Sequence, residues 1–457
     1  MIDEARARGE IAVIGLGRSG VAAARLLARE GARVYASDAG RGEGVAQAAA
    51  ALRAEGIAAD GGVHDMTRIR AASLVVVSPG VPPDALPLAM AREAGVPVVG
   101  EMEVALEVLR GVPYVAITGT NGKSTVTALV AHLLGALGHR AVAAGNIGHA
   151  LSDVALQAER PAWIALEVSS FQLHDTPGLA PAVGVLTNLS PDHLDRYASV
   201  QEYYADKALL YRNASAASRW VVNADDPQAM QLGLDAHGTR WAFSRLDRHA
   251  SAHYDAARDA LVLFKKPLLK RAALPLLGWH NVENTLAALL AVMVADDAHR
   301  TKSACAALAA AVRSFSGLPH RLEVVATTDG VRWINDSKAT NVSSARVAIE
   351  AMEQPTVVLL GGKHKGEPYT SLIAPLKAHA TLVIAYGEAE PLVVADLEGH
   401  VPLERGGSSF EHVMQRARAA ARPGDTVLLA PACSSFDMFT NYEARGETFR
   451  RLAREGA

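Results

Sequence analysis

Gly119-Thr120-Asn121-Gly122-Lys123-Ser124-Thr125 decides how the chain is read. It follows an apolar run, Tyr114-Val115-Ala116-Ile117-Thr118, and opens a segment, 126–137, in which Leu129, Leu133 and Leu137 recur at helical spacing. Strand, glycine loop and helix, in that order, make a phosphate-binding loop. The glycines let consecutive backbone N–H groups turn toward one anion, the helix start adds positive potential, and Lys123 supplies a point charge. Ser124 is placed to reach a magnesium ion. The run departs from the standard GxxxxGKS/T at its first position, so an ordinary glycine turn competes. Lys-Ser-Thr directly after Gly122 favours the nucleotide.

At 457 residues the chain exceeds a single core and suits roughly two to four domains. Half of it is hydrophobic, 38 residues are glycine and the formal net charge is −3, as in a globular α/β protein. There is no basic excess to bind nucleic acid, and no apolar run approaches a membrane span. The start, Met1-Ile2-Asp3-Glu4-Ala5-Arg6, lacks the apolar segment of a signal peptide, and a cytoplasmic location is expected. Cys305 and Cys433 are too few for a disulfide framework, so reduced thiols are expected.

Upstream, Ile11-Ala12-Val13-Ile14 reads as a buried strand running into Gly15-Leu16-Gly17-Arg18-Ser19-Gly20 and a helix over 21–30. A second strand, 33–37, ends at Asp38, which completes the dinucleotide fingerprint. The same geometry holds any diphosphate or ribose, so NAD and another nucleotide both remain open. A third strand, 74–77, ends in Ser78-Pro79-Gly80, where open parallel sheets bind ligands. Three βα turns without a ligand are the plain alternative.

The pattern restarts near residue 96, with a helix over 101–110, and this sets the first boundary. Strands at 140–144, 163–166 and 183–186 close on Gly145-Asn146-Ile147-Gly148, on Glu167 and on Thr187-Asn188. An acid after a strand in such a domain commonly holds magnesium, and Glu167 is well placed. Asp192-His193-Leu194-Asp195-Arg196-Tyr197 precedes a helix over 200–211 carrying Lys207. Taken alone, His193 reads as structural and Lys207 as a solvated face. Residues 238–274 read as an antiparallel appendage. Asn281 and Asn284 then share a helix face at i, i+3, suited to an adenine ring or, for Asn281, to helix capping.

A glycine- and proline-bearing loop at 315–319 sets the second boundary. A third α/β unit follows, with strands at 322–326, 332–335, 357–360, 382–385 and 426–429. Polar loops follow three of these: Asp336-Ser337-Lys338-Ala339-Thr340-Asn341, Gly361-Gly362-Lys363-His364-Lys365-Gly366 and Pro431-Ala432-Cys433-Ser434-Ser435-Phe436-Asp437. Together they indicate an anionic substrate, although a run such as Lys363 to Lys365 is usually solvated surface.

These motifs, with Leu318-Pro319-His320-Arg321, resemble the Mur ligases over all three proposed domains. The branch that adds D-glutamate is closest, on Glu167-Val168-Ser169-Ser170-Phe171-Gln172-Leu173 and the Lys-Ser-Thr ending. The resemblance implies an α/β fold of three domains: a Rossmann-like UDP-binding domain at 1–103, a central P-loop ATPase domain with a parallel sheet at 104–318, and a C-terminal Rossmann-like amino-acid-binding domain at 319–457. It implies an ATP-dependent amide ligase of peptidoglycan synthesis, working through an acyl phosphate on UDP-N-acetylmuramoyl-L-alanine and D-glutamate, with no nucleic-acid or membrane partner and as a monomer.

The implied site can be assigned residue by residue. Gly17, Arg18, Ser19, Asp38, Ser78, Pro79 and Gly80 hold the UDP part, with Asn146 near the muramoyl part. Gly119, Thr120, Asn121, Gly122, Lys123, Ser124 and Thr125 hold ATP, with Asn281, Asn284, Arg321 and Asp336. Ser124 and Glu167 bind one Mg2+ and His193 with a carbamylated Lys207 a second, which reverses the plain reading of that lysine. Lys123, Glu167, His193 and Lys207 form the catalytic set. Lys338, Thr340, Lys365, Ser435 and Tyr442 surround D-glutamate. Tyr442 stands where the family usually has Phe, and His364 where an acid is frequent.

Overall fold

The computed structural model describes residues 1–192 and 197–455. The chain forms two compact units: Met1–Arg271 with Glu283–Arg313, and Ala272–Val282 with Ser314–Ala457. Residues 272–282, which precede the loop at 315–319, belong to the second unit.

The first unit holds two sheets. One is fully parallel, in the order β3-β2-β1-β4-β5, from β1 (Ile11–Ile14), β2 (Val34–Asp38), β3 (Ala58–Gly61), β4 (Leu74–Val77) and β5 (Val98–Gly100). Ile11, Ala12, Val13, Leu74, Val75 and Val76 are at most 1% exposed, as expected of strands covered on both faces. The run near residue 96 does not start a new sheet; β5 pairs with β4 and completes this one. The order reverses between β1 and β4, so the crevice at their carboxyl ends is the topological switch point.

The second sheet runs β14-β13-β12-β11-β10-β9-β6-β8-β7. Its strands are β6 (Tyr114–Thr118), β7 (Ala141–Gly145), β8 (Trp163–Glu167), β9 (Val183–Leu186), β10 (Arg219–Asn223), β11 (Thr239–Ser244), β12 (Ala252–Asp255), β13 (Ala260–Leu263) and β14 (Lys266–Lys270). β7 to β11 with β6 are parallel, and β12 to β14 are paired antiparallel. The expected appendage is thus a continuation of the main sheet: β11 pairs parallel with β10 and β12 parallel with β11. The helix Lys123–Ala136 packs on this sheet through Val126, Leu129, Val130 and Leu133, all fully buried. Each such side chain stabilises the fold by about 1.5–3 kcal/mol relative to exposure.

The second unit carries a sheet in the order β15-β16-β20-β17-β18-β19. These are β15 (Glu323–Thr328), β16 (Val331–Asn335), β17 (Thr356–Gly361), β18 (Ala380–Tyr386), β19 (Leu403–Gly407) and β20 (Thr426–Leu429). All pairings are parallel except β15 with β16. β16, β20 and β17 are adjacent, which brings the three polar loops recognised in the sequence to one edge. Among the described residues, no helix is long and apolar enough to cross a membrane.

Candidate active site

In the first unit, β6 lies between β8 and β9, so the loop after β6 emerges between Glu167 and Thr187. Gly119 and Gly122 have φ of 141° and 83°, the left-handed side that glycine tolerates. A Cβ on Gly119 would meet Thr187 Oγ1 at 2.0 Å, and one on Gly122 would meet Asn284 Oδ1 at 2.2 Å. The loop is clamped by the next strand's end. Thr120 N–H donates to Asn188 O at 2.9 Å, Asn121 N–H to Asn188 Oδ1 at 2.9 Å, and Thr187 Oγ1 to Asn121 O at 2.6 Å.

The helix starts at Lys123, earlier than its apolar spacing indicates, so Lys123, Ser124 and Thr125 form its first turn. The N–H groups of a helix's first turn are the kind that bind anions. Lys123 Nζ donates to Gly119 O at 3.0 Å and Thr120 O at 2.8 Å.

Lys207 is 1% exposed, on the helix Val200–Ala208, and its Nζ donates to Gly119 O at 2.8 Å. Burial, reinforced by Lys123, holds this amine well below the ordinary lysine range. Its Nζ lies 4.6 Å from the ring centre of Tyr203, whose hydroxyl is 3.3 Å from Thr120 Oγ1. The expected helix over 200–211 ends at Ala208 and tightens into a 3-10 turn, Leu209–Tyr211. His193 lies outside the described residues.

Glu167 is 2% exposed. Asn146 Nδ2 donates to its Oε1 at 2.9 Å, while Oε2 is buried without a hydrogen-bond partner among the described residues. An orphaned carboxylate oxygen costs desolvation energy unless a ligand completes it. A carboxylate oxygen is the kind of hard donor that a divalent cation takes. Among the described residues no three His, Cys, Asp or Glu side chains form a metal cluster.

At the first sheet's switch point, Asp38 does not stand free. Its carboxylate accepts Leu16 N–H at 2.8 Å and Gly40 N–H at 2.7 Å, fixing the glycine loop. Gly20 allows close helix packing, since a Cβ there would sit 1.8 Å from Gly15 O. Arg18 and Ser19 lie in the first turn of the helix Arg18–Arg29, which begins before the expected residue 21. Arg18 Nη2 donates to Gly148 O at 3.1 Å, joining this loop to the segment carrying Asn146. Ser78 is buried, whereas Gly17 and Gly80 are exposed and Pro79 partly so.

In the second unit, Asp336 follows β16 and accepts Leu322 N–H at 3.3 Å. Burial raises its carboxyl to about 7, opposed by Arg321. Lys338 Nζ lies 4.0 Å from the Tyr442 ring centre, and Lys365 Nζ is 3.4 Å from Thr340 Oγ1. Ser435 is buried on the loop after β20. Asn281 Nδ2 donates to Leu277 O at 2.7 Å, inside the helix Trp279–Ala295, so it is not that helix's N-cap.

Arg445 is absent from the residues expected here, yet it is fully buried and binds all three loops. Its Nε donates to Ser337 Oγ at 3.0 Å, Nη2 to Ser337 O at 3.0 Å and Cys433 O at 3.1 Å, and Nη1 to Ser434 O at 3.3 Å and Gly361 O at 3.5 Å. The adjacent Gly446 is the available signal. Glycine inside the helix Tyr442–Arg454 marks a close approach, here His320 Nδ1, which a Cβ would meet at 2.1 Å.

Three families of known domains match. The Mur ligase MurD-like N-terminal domain matches residues 9–100, the Mur ligase middle domain 117–292, and the Mur ligase glutamate ligase domain 320–433. A UDP-N-acetylmuramoylalanine--D-glutamate ligase of Acidobacterium capsulatum is 40% identical over 451 residues, covering 97% of this chain and 95% of that one. One of the same name from Salinibacter ruber is 39% identical, with 98% of each chain covered. Among solved structures, UDP-N-acetylmuramate-alanine ligase MurC of Thermotoga maritima shares the fold, with a TM-score of 0.63 at 19% identity, covering 98% of this chain and 100% of that one. With its three sheets, its glycine loop between β8 and β9 and its full-length relatives, the chain belongs to the Mur ligase family.

Proposed function

We propose that the chain joins D-glutamate to UDP-N-acetylmuramoyl-L-alanine at the expense of ATP, through an acyl phosphate. The observation that carries this reading is the convergence of Lys123, Lys207 and the orphaned Glu167 oxygen around the loop that binds phosphate. Full-length similarity to relatives of that name supports the choice of substrates. Domain boundaries at 103/104 and 318/319 accompany it, as do a cytoplasmic, monomeric state and the absence of nucleic-acid and membrane partners.

Lys123 and the first-turn N–H groups hold the ATP phosphates, and Asn284, Asn281, Arg321 and Asp336 the nucleoside. The loops at Gly17–Ser19, Asp38 and Ser78–Gly80 hold the UDP group. The terminal carboxylate of the nucleotide substrate then attacks the γ-phosphoryl group in line, a step dominated by positioning and charge neutralisation. Glu167 and Ser124 would hold one Mg2+, and His193 with Lys207 another, supplying positive charge to the phosphate oxygens. The lowered pKa of the buried Lys207 amine favours carbamylation, which would turn it into an anionic oxygen ligand. Lys338, Thr340, Lys365, Ser435 and Tyr442 hold D-glutamate so that its amine displaces phosphate and leaves the amide.

The test is phosphate release from ATP with UDP-N-acetylmuramoyl-L-alanine and Mg2+, offering D-glutamate, L-glutamate, L-alanine and a diamino acid in parallel. Release with D-glutamate alone is expected. Release with another amino acid moves the specificity, and none with any of them removes the reading.

A further inference from the structure

Residues 361–366 and 431–437 follow β17 and β20, which are neighbours in the second unit's sheet. Their backbones pair: Lys363 N–H donates to Ser434 O at 2.9 Å, and Ser434 N–H to Lys363 O at 3.1 Å. Beyond Lys363 a side chain takes over. His364 Nδ1 lies 2.9 Å from the Tyr369 hydroxyl, and that hydroxyl lies 2.9 Å from Cys433 Sγ. Tyr369 is 1% exposed, and Asp396 accepts its backbone N–H at 2.7 Å. The hydroxyl is a fixed post between two loops.

We propose that His364, through the Tyr369 hydroxyl and the Cys433 thiol, is a positioning residue that sets Lys365 for a carboxylate of the incoming amino acid. This rests on the reading of the amino-acid pocket given above. The hydroxyl has one proton and two partners. Imidazole nitrogen accepts better than thiol sulfur, so the hydroxyl donates to His364 Nδ1 and accepts from the Cys433 S–H. Burial raises that thiol to about 11, which keeps its proton in place. Every group in the relay is then satisfied. Lys365 is the next residue, exposed, with its Nζ 3.4 Å from Thr340 Oγ1 on the third loop. A long lysine side chain loses much rotamer freedom when it binds, and fixing the backbone beneath it removes part of that loss beforehand.

The test uses H364L, H364N and Y369F in the full chain, read by steady-state kinetics and by amide hydrogen exchange of residues 361–366 without ligands. H364L and Y369F should each raise KM for the amino acid about tenfold, with KM for ATP and for the nucleotide substrate within about twofold. H364N keeps a polar atom near the position of Nδ1 and should restore KM to within about threefold. The double variant H364L/Y369F should be no worse than either single one, because both cut the same relay. Exchange at 361–366 should rise in H364L and Y369F. Unchanged exchange overturns the relay; faster exchange with unchanged KM, or an equal rise in all three KM values, overturns the role assigned toward Lys365. If the unaltered protein releases no phosphate with any amino acid, the ligase reading fails by itself, and the exchange measurement still decides the relay.

Discussion

Lys207 and Lys123 donate to the same acceptor, the carbonyl oxygen of Gly119, at 2.8 and 3.0 Å. Burial, and then the repulsion of a second ammonium group on the same carbonyl, hold the Lys207 amine well below the ordinary lysine range. The deprotonated amine is the form that attacks CO2 to give a carbamate, and the lowered pKa favours that form. Activity is therefore expected to fall in CO2-depleted buffer and to return with bicarbonate, and K207M should lose about 100-fold or more in kcat. Full activity of K207M would remove Lys207 from the mechanism. The same shift gives a sign for stability: the folded state binds fewer protons here than the unfolded chain, so this group opposes folding less as pH rises toward 10.5.

Gly122→Ala places a methyl group where Asn284 Oδ1 stands, at a φ of 83°. Loss of binding to a non-hydrolysable ATP analogue is expected, with destabilisation of about 1–3 kcal/mol. Calorimetric titration and thermal melting check the two effects separately. Analogue affinity equal to that of the unaltered protein would show that the loop has room to shift.

Glu101 is 2% exposed and accepts the Ser152 N–H at 2.5 Å, and burial raises its carboxyl to about 7. Because the folded pKa lies above the unfolded one, its contribution is fully present below about pH 4.5 and is lost as pH rises through 7. E101Q keeps the acceptor and removes the titration, so the slope of stability between pH 4.5 and 7 should become shallower. Denaturant melts at several pH values measure it.

Arg445→Ala leaves the carbonyls of Ser337, Cys433 and Ser434 without their buried donor. Each such group costs about 1–3 kcal/mol, so the second unit should lose at least about 3 kcal/mol of stability. Arg445→Lys cannot supply the same fork of donors and should recover only part of it. Chemical denaturation followed by the fluorescence of Trp333, which is buried in that unit's core, is the measurement.

The local grammar of this chain was legible without coordinates. Apolar runs ending in polar or glycine-bearing loops located the central strands of three sheets, because a strand covered on both faces must be apolar along its length and its loop must be polar. The Gly119–Thr125 loop, Asp38, Glu167 and the three loops of the second unit followed from that rule. Short or half-exposed strands such as β3 and β19 escaped it, having too few apolar residues to show a period.

Tertiary structure decided the rest. Sheet order put Glu167 and Thr187 on either side of the glycine loop, and pairing of β10 with β11 made an apparent appendage part of the main sheet. The depressed pKa of Lys207, the orphaned oxygen of Glu167 and the buried Arg445 depend on burial by residues distant in the chain. Sequence spacing reports only which neighbours a residue has along one helix or strand. Desolvation and hydrogen-bond completion are set by what folds over it from elsewhere.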